Sequence, residues 1–141
     1  MAKVVYTAKA HVTGGRQHGH GRTDDGVLEV DLRPPGGDEV GTNPEQLFAV
    51  GYAACFEGAI MVVARRQRVE AGDVEIDSEV DLVTTEDRAF TVAVRMDVKL
   101  PSIDDIEEAA ELVRNAHQVC PYSNATRGNI EVKFRVNGQE L

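Results

Sequence analysis

The stretch Thr42–Val63 reads TNPEQLFAVGYAACFEGAIMVV and predicts one long, mostly apolar helix. Thr42 or Asn43 supplies the N-cap, Pro44 suits the first helical position, and Glu45 adds a carboxylate that complements the helix dipole. Because so few polar residues interrupt the stretch, the helix must be covered nearly all round. We expect its own sheet to cover one part and a second subunit to cover the rest.

The residues before this helix predict two strands. Residues 4–12 and 27–33 have the β-branched content and the alternation that are typical of strands. A loop rich in glycine and histidine, Thr13–Asp25, joins them. A second loop over residues 34–39 leads to the helix.

The residues after the helix predict a hairpin, a second helix and a last strand. Residues 74–83 and 90–100 alternate between apolar and polar side chains and flank a turn at residues 84–88. Ser102 is expected to cap the second helix, and residues 130–136 form the last strand. The second helix buries a stripe that comprises Ile103, Ile106, Ala110 and Val113. The order ββ–α–ββ–α–β predicts a single α+β domain over residues 1–141 with antiparallel sheet.

Length, composition and charge limit the class of protein. A chain of 141 residues buries about 70% of its unfolded surface and needs no covalent staple. We find neither the apolar core of a signal peptide near the N-terminus nor a run of roughly 20 apolar residues, and we expect a soluble cytoplasmic protein. The formal net charge of −9 disfavours nucleic acid, and the one dense basic run, residues 65–68, complements the end of the predicted helix.

The chain has two cysteines, and each lies in a distinctive setting. Cys55 lies inside the apolar helix, whereas Cys120 precedes Pro121, which stops a helix and places the thiol at a turn. In a reducing compartment, two cysteines that form a bridge are more often catalytic than structural. The alternative is that Cys55 is a small buried hydrophobe and Cys120 a bystander.

A thiol in an apolar helix has a raised pKa, so Cys55 needs a neighbouring cation to act as a nucleophile. A guanidinium about 4 Å away is worth about 4 kcal/mol at an effective dielectric near 20, enough to bring the thiol pKa below neutrality. Arg16 follows two glycines on a loop that can approach closely, and its N–H groups suit a peroxide oxygen. Glu45 is the candidate carboxylate to orient it.

Four segments resemble the signatures of the organic hydroperoxide resistance proteins, the Ohr branch of the OsmC/Ohr family: Thr13–Arg16 (TGGR), Gly41–Ala49 (GTNPEQLFA), Gly51–Phe56 (GYAACF) and Val119–Asn129 (VCPYSNATRGN). These motifs are long and specific, and the match covers essentially the whole chain. The resemblance implies an intertwined homodimer with two active sites at the subunit interface. It also implies antiparallel sheets around a long central apolar helix, and thiol-dependent reduction of organic and fatty-acid hydroperoxides to alcohols.

On this resemblance Cys55 is the peroxidatic cysteine, Cys120 the resolving cysteine, and Arg16 and Glu45 the pair that activates the thiolate. The implied reductant is a dihydrolipoyl group on a lipoylated protein, with no bound metal or organic cofactor. The chemistry suits the residues, because a sulfenic acid on the first sulfur can condense with the second thiol to a disulfide.

An apolar site favours alkyl hydroperoxides over hydrogen peroxide. Phe48, Phe56 and Tyr122 are candidates to line it, and each could equally belong to the core. Two other functions stay open: a peroxidase of the OsmC branch with a different peroxide preference, and a non-catalytic dimeric protein that binds an apolar ligand.

The loop after Arg16 reads QHGHGR and is longer and richer in histidine than the family leads us to expect. Arg22 is therefore an alternative to Arg16, although only Arg16 keeps the Gly-Gly-Arg context. His18 and His20 could bind a metal ion, but no cysteine or carboxylate lies at ligand spacing and a solvated loop is the more common interpretation.

Glu45 and Cys55 are ten positions apart, which is about 15 Å of rise in a continuous helix. They could not then share one site within a chain. Either the helix breaks near Gly51, or the Arg16–Glu45 pair of one subunit meets Cys55 of the other. We expect the second arrangement, in an obligate dimer.

Overall fold

The computed structural model describes residues 2–141 and has an α+β fold, as the sequence predicts. Its elements in chain order are β1 (Ala10–Thr13), β2 (Gly19–Thr23), β3 (Glu29–Leu32), α1 (Pro44–Gln67), β4 (Glu75–Thr84), β5 (Phe90–Lys99), α2 (Ile106–Val119), α3 (Pro121–Thr126), β6 (Val132–Val136) and β7 (Gln139–Glu140). The chain divides into two compact units, and the boundary between Leu47 and Phe48 lies inside α1.

The first unit is built on a three-stranded antiparallel sheet in the order β1-β2-β3. The prediction of a loop over residues 13–25 is wrong here, because β2 occupies part of it. Gly19 and Gly21 are buried between their neighbours, and a Cβ atom at Gly19 would lie 1.9 Å from the carbonyl oxygen of Gly15. The buried positions of β2 therefore hold glycine rather than apolar side chains, and a search for apolar alternation does not find this strand.

The predicted first strand is also shorter than expected. It begins at Ala10, and residues 4–9 are not in a strand. Val4, Val5 and Tyr6 are at least 80% exposed. Their β-branched and aromatic side chains are typical of a strand, but within residues 2–141 they have no strand neighbour to pair with.

His20 on β2 is clamped between two carboxylates of β3 on the exposed face of this sheet. Its Nε2 lies 2.8 Å from Glu29 Oε2 and its Nδ1 lies 3.0 Å from Asp31 Oδ1. The hydrogen bond to Asp31 raises the pKa of His20 most, and the hydrogen bond to Glu29 raises it further. The same contact lowers the pKa of Asp31.

The helix α1 begins and continues as the sequence predicts. Asn43 is its N-cap, since Asn43 Oδ1 accepts a hydrogen bond of 2.8 Å from the backbone N–H of Gln46. Pro44 is the first helical residue, and the helix runs without a break through Gly51 to Gln67. Of the two arrangements considered for Glu45 and Cys55, the broken helix is therefore wrong.

Among residues 2–141, α1 is the one helix that is long and apolar enough to cross a membrane. The expectation that no stretch has this composition is wrong, because Glu57 is the one charged residue among residues 47–64. What distinguishes α1 is its packing. It buries six side chains in the core of the second unit, namely Tyr52, Phe56, Ala59, Ile60, Val63 and Ala64.

The second unit has a four-stranded sheet in the order β4-β5-β6-β7. The predicted hairpin is confirmed, because β4 pairs antiparallel with β5. One pairing differs from an all-antiparallel sheet, since β5 and β6 are parallel and α2 and α3 form the crossover between them. The core under the sheet includes Val94, Met96, Val98, Phe134 and Val136.

The predicted N-cap of the second helix is wrong. Asp105, not Ser102, caps α2, and its carboxylate accepts hydrogen bonds from the backbone N–H groups of Glu107 and Glu108. An aspartate cap binds the same two donors as a serine and adds a charge that the helix dipole stabilises. The helix therefore starts at Ile106, and Ile103 is buried just ahead of it.

The clamp around His20 predicts a specific dependence of stability on pH. Because the pKa of His20 is raised, its interactions stabilise the folded state in full at pH values below the ordinary pKa of 6.5. This stabilisation is lost as pH rises through the raised pKa. Because the pKa of Asp31 is lowered, its carboxylate stabilises the folded state in full at pH values above the ordinary pKa of 3.8. This stabilisation is lost as pH falls through the lowered pKa. We therefore expect His20→Gln to lower the midpoint of thermal unfolding most at about pH 5–6 and least at about pH 9. His18→Gln is the control, and an equal effect of His20→Gln at both pH values would contradict the clamp.

Candidate active site

The structure brings Cys55 and Cys120 together in the second unit. Both are free thiols; Cys55 is half-buried on α1 and Cys120 is fully buried. Cys120 belongs to the buried core and Cys55 packs against that core, close enough for the Cys120 thiol to raise the pKa of Cys55. Two cysteines that are neighbours in the fold are candidates for a disulfide.

The position of Cys120 follows from the proline after it. Cys120 is the C-cap of α2 and the N-cap of α3, with Pro121 as the first residue of α3. Its backbone N–H donates to the carbonyl of Ala116 at 2.9 Å, and its carbonyl accepts from Asn124 N–H at 2.9 Å. Because proline cannot continue α2, the thiol lies at a sharp junction between two helices.

A buried network of hydroxyls holds α3 against α1. The Tyr52 hydroxyl lies 2.7 Å from Ser123 Oγ and 3.2 Å from Thr126 Oγ1. Tyr52 is fully buried and lies three residues before Cys55, on the same side of α1. The network therefore positions both thiols, since it ties the helix of Cys55 to the helix that follows Cys120.

An aromatic cluster surrounds this network. The rings of Phe48, Tyr52 and Tyr122 lie 5.7–5.8 Å apart between centroids, and Phe48 and Tyr122 are stacked. Gly51 lies against the Tyr122 ring, where a Cβ atom would make an ordinary contact of 3.4 Å with the tyrosine hydroxyl. Of the three candidate pocket residues, Phe48 and Tyr122 thus belong to this cluster, and the backbone N–H of Tyr122 lies near Cys55.

Phe56, the third predicted pocket residue, lies elsewhere. It is fully buried, and its ring centroid is 4.8 Å from that of Phe134 on β6. This is a contact between the helix and the sheet in the core. Phe56 follows Tyr52 by four residues, so it lies on the same buried side of α1 but one turn further along the helix, against the sheet.

Burial raises the pKa of the Cys55 thiol, and the neighbouring Cys120 raises it further. The N–H of Tyr122, in the first turn of α3, opposes this by stabilising the thiolate. Within residues 2–141, the groups that shift this pKa include no cation. Cys55 is therefore held as a thiol in the single chain, and a nucleophilic thiolate requires a positive charge brought to it.

Arg16 and Glu45, the predicted activating pair, both lie in the first unit. Arg16 Nη2 lies 2.8 Å from Glu45 Oε1, and the Glu45 side chain is only 15% exposed. Gly14 and Gly15 both have positive φ angles, of 76° and 66°, so the turn that presents Arg16 depends on glycine. Glu45 lies in the first turn of α1, where the helix dipole favours its charge.

Arg22 and the two histidines have different surroundings. Arg22 lies on β2 with its Nε 3.9 Å from Glu29 Oε1, whereas the ion pair of Glu45 is with Arg16. His20 belongs to the clamp on the same strand. In the part of the chain that the structure describes, no group of three or more His, Cys, Asp or Glu side chains is placed to hold a metal ion.

Two features of the site were not predicted from the sequence: the hydroxyl network and the hydrogen bonds of the Arg127 guanidinium. Arg127 Nη1 donates to the carbonyl of His117 at 2.8 Å, and Nη2 donates to Asn124 Oδ1 at 2.8 Å. A signal for the network was present, because Ser123 and Thr126 are three residues apart in a helix that starts at a proline, and a buried tyrosine needs partners for its hydroxyl.

Comparison with known proteins identifies the relatives of this chain. A family model described as OsmC-like protein matches residues 36–135. Organic hydroperoxide resistance protein OhrB of Bacillus subtilis (strain 168) is 48% identical over 136 residues, which cover 94% of this chain and 98% of that protein. The organic hydroperoxide resistance protein of Xanthomonas axonopodis pv. citri (strain 306) is 48% identical over 137 residues, covering 92% of this chain and 93% of that protein.

Solved structures show the same relationship. The crystal structure of OhrB of Bacillus subtilis matches with a TM-score of 0.88 at 47% identity, covering 94% of this chain and 99% of that chain. An organic hydroperoxide resistance protein from Elizabethkingia anophelis, with crystallant-derived thiocyanate bound, matches with a TM-score of 0.89 at 43% identity, covering 98% and 100%. This chain therefore belongs to the OsmC family, in its organic hydroperoxide resistance branch, and has the α+β fold of that branch.

Proposed function

We propose that this protein is a cysteine-based peroxidase that reduces organic and fatty-acid hydroperoxides to alcohols. The observation that carries the proposal is the proximity of Cys120 to Cys55 at the buried core, where the Cys120 thiol raises the pKa of Cys55. Membership of the organic hydroperoxide resistance branch supports the class of substrate. The aromatic cluster of Phe48, Tyr52 and Tyr122 supports an apolar substrate, because Tyr52 lies one turn before Cys55 on α1 and Tyr122 is two residues after Cys120.

The reaction has three steps. The Cys55 thiolate attacks the terminal oxygen of the hydroperoxide, the O–O bond breaks, and the alcohol leaves with a proton while sulfur becomes a sulfenic acid. The Cys120 thiol then displaces water from that sulfenic acid to form the disulfide. A dithiol returns both cysteines to thiols and is itself oxidised to a disulfide. We propose a dihydrolipoyl group on a lipoylated protein as this dithiol, with no bound cofactor.

Arg16 supplies the charge that Cys55 lacks in the single chain. Its guanidinium stabilises the thiolate and donates to the peroxide oxygens, while Glu45 fixes its orientation through the 2.8 Å ion pair. The Tyr122 N–H adds a second donor to the sulfur. Together they offset the burial that raises the thiol pKa.

The Arg16–Glu45 pair and Cys55 come from different subunits of a homodimer. Since α1 is unbroken, Glu45 and Cys55 of one chain are separated by about 15 Å of helical rise. The exposed stripe of α1 supports a dimer, because its residues recur every three or four positions and are apolar or small: Leu47, Val50, Ala54, Gly58 and Met61. Val50 alone is 71% exposed.

The exposed N-terminal residues support an intertwined dimer. Val4, Val5 and Tyr6 are exposed residues of the types that strands favour, and a partner chain can supply the neighbour that such a strand needs. We propose a soluble, cytoplasmic homodimer, since a cycle that returns Cys55 and Cys120 to thiols requires a reducing compartment.

Single cysteine variants test the roles of the two sulfurs. We expect Cys55→Ser to abolish consumption of an alkyl hydroperoxide in the presence of dihydrolipoamide. Cys120→Ser should still consume about one equivalent, within about twofold of the wild-type rate, because only the first sulfur attacks peroxide. A sulfenate-reactive probe should label Cys120→Ser and not Cys55→Ser. Equal first-turnover consumption by both variants would contradict the roles, and none by the wild type would favour a non-catalytic binding protein.

Arginine variants test the activating charge. Arg16→Ala should lower activity about a hundredfold or more, since a nearby guanidinium is worth about 4 kcal/mol to the thiolate. Arg22→Ala, a matched control on the neighbouring strand, should have little effect. The thiolate absorbance at 240 nm against pH measures the Cys55 pKa in each variant. If Arg22→Ala shifts the titration and Arg16→Ala does not, the assignment of Arg16 is wrong.

Mixed dimers test the shared site. Under subunit exchange, a Cys55→Ser chain supplies intact Arg16 and Glu45 to the Cys55 of a Glu45→Ala chain. A site shared between subunits then regains about one wild-type site per heterodimer, whereas a site within one chain regains none. Mixing Cys55→Ser with Cys55→Ser/Glu45→Ala is the inactive control. No recovery after heterodimers are demonstrated would show that each site takes both residues from one chain.

A further inference from the structure

Arg127 joins the two helices that meet at Cys120. It is the C-cap residue of α3, and its side chain turns back to the last turn of α2. Nη1 donates to the His117 carbonyl at 2.8 Å, while Nη2 donates to Asn124 Oδ1 on α3 at 2.8 Å. The two acceptors lie three residues before and four residues after Cys120.

The contact with Arg127 gives the His117 carbonyl a hydrogen-bond donor that the backbone does not supply. The last carbonyls of a helix have no partner within it, and Pro121 removes the N–H that would follow Cys120. The Ala116 carbonyl is satisfied by Cys120 N–H, and the His117 carbonyl by Arg127. A guanidinium at this end also complements the helix dipole. Arg127 thus fixes the angle at which α3 leaves α2.

The other attachment of α3 is on its opposite side. Tyr52 binds Ser123 and Thr126 in the core, whereas Arg127 and Asn124 are exposed. Tyr52 therefore fixes α3 relative to α1, and Arg127 fixes it relative to α2. Cys120 lies where these two constraints meet, so Arg127 can be changed without opening the core.

We propose that Arg127 is a positioning residue for the resolving step: it holds the Cys120 sulfur in line with the oxidised Cys55 and thereby protects Cys55 from further oxidation. This rests on the peroxidase function proposed above. Arg127 touches neither substrate nor sulfur, and it acts through the helix junction alone.

Two reactions compete for the Cys55 sulfenic acid. Cys120 can attack its sulfur, which forms the disulfide and releases water. A second hydroperoxide can instead transfer an oxygen atom to that sulfur, which yields a sulfinic acid and a second alcohol. The first reaction is within the protein and depends on alignment of the two sulfurs, so a small displacement of Cys120 slows it strongly. The second depends only on peroxide concentration and access.

The test separates these steps in the pre-reduced full-length protein mixed with tert-butyl hydroperoxide. In Arg127→Ala, the rate at which Cys55 loses its thiol should stay within about twofold of wild type, while disulfide formation slows about tenfold. Intact mass after excess peroxide should show several times more sulfinic acid on Cys55. Arg127→Lys should recover part of the loss, because an ammonium can reach one of the two acceptors. Asn124→Ala should give an intermediate effect and add nothing in combination with Arg127→Ala.

Arg114→Ala is the matched control, since Arg114 is an exposed arginine on α2 whose ion pair is with Glu111. Disulfide formation at the wild-type rate in Arg127→Ala overturns the inference, and so does an equal slowing of both steps, which would indicate general loss of structure. A wild-type protein that forms no Cys55–Cys120 disulfide overturns the proposed function and the inference together. A wild-type protein that cycles normally beside an unaffected Arg127→Ala overturns the inference alone.

Discussion

The hydrogen bond between the Tyr52 and Ser123 hydroxyls is the contact on which the arrangement of the thiols depends. It is buried on both sides and 2.7 Å long, and it joins residues 71 positions apart in sequence. Loss of one partner would leave the other hydroxyl buried without a hydrogen bond, which costs roughly 1–3 kcal/mol. The pair therefore specifies one placement of α3 on α1, and that placement brings Cys120 to Cys55.

Much of the fold and of the site was predictable because local chemistry decides it. Asn43 and Pro44 start α1, Pro121 separates α2 from α3, and the β4–β5 hairpin has regular alternation. Arg16 forms an ion pair with Glu45 and Cys120 lies near Cys55, and the catalytic roles that the family motifs imply for these four residues stay predictions.

The misses have a common physical cause, which is that long-range contacts override local pattern. The strand β2 hides its alternation because glycine fills its buried positions, where the backbone of Gly15 leaves no room for a Cβ atom. For Phe56 the sequence left the pocket and the core equally open, and only the contact with Phe134 on β6 assigns it to the core. Arg127 could not be singled out, because its two acceptors are a backbone carbonyl and an amide that only the turn at Cys120 brings together.

The raised pKa of Cys55 has a consequence for the life of the protein before it acts. A buried thiol held in its protonated form reacts slowly with electrophiles, with stray disulfides and with soft metal ions, all of which select the thiolate. In the arrangement we propose, the charge that changes this belongs to another subunit. The Cys55 thiol of a newly made or dissociated chain would then be unreactive, and it would react with peroxide only after the dimer has assembled.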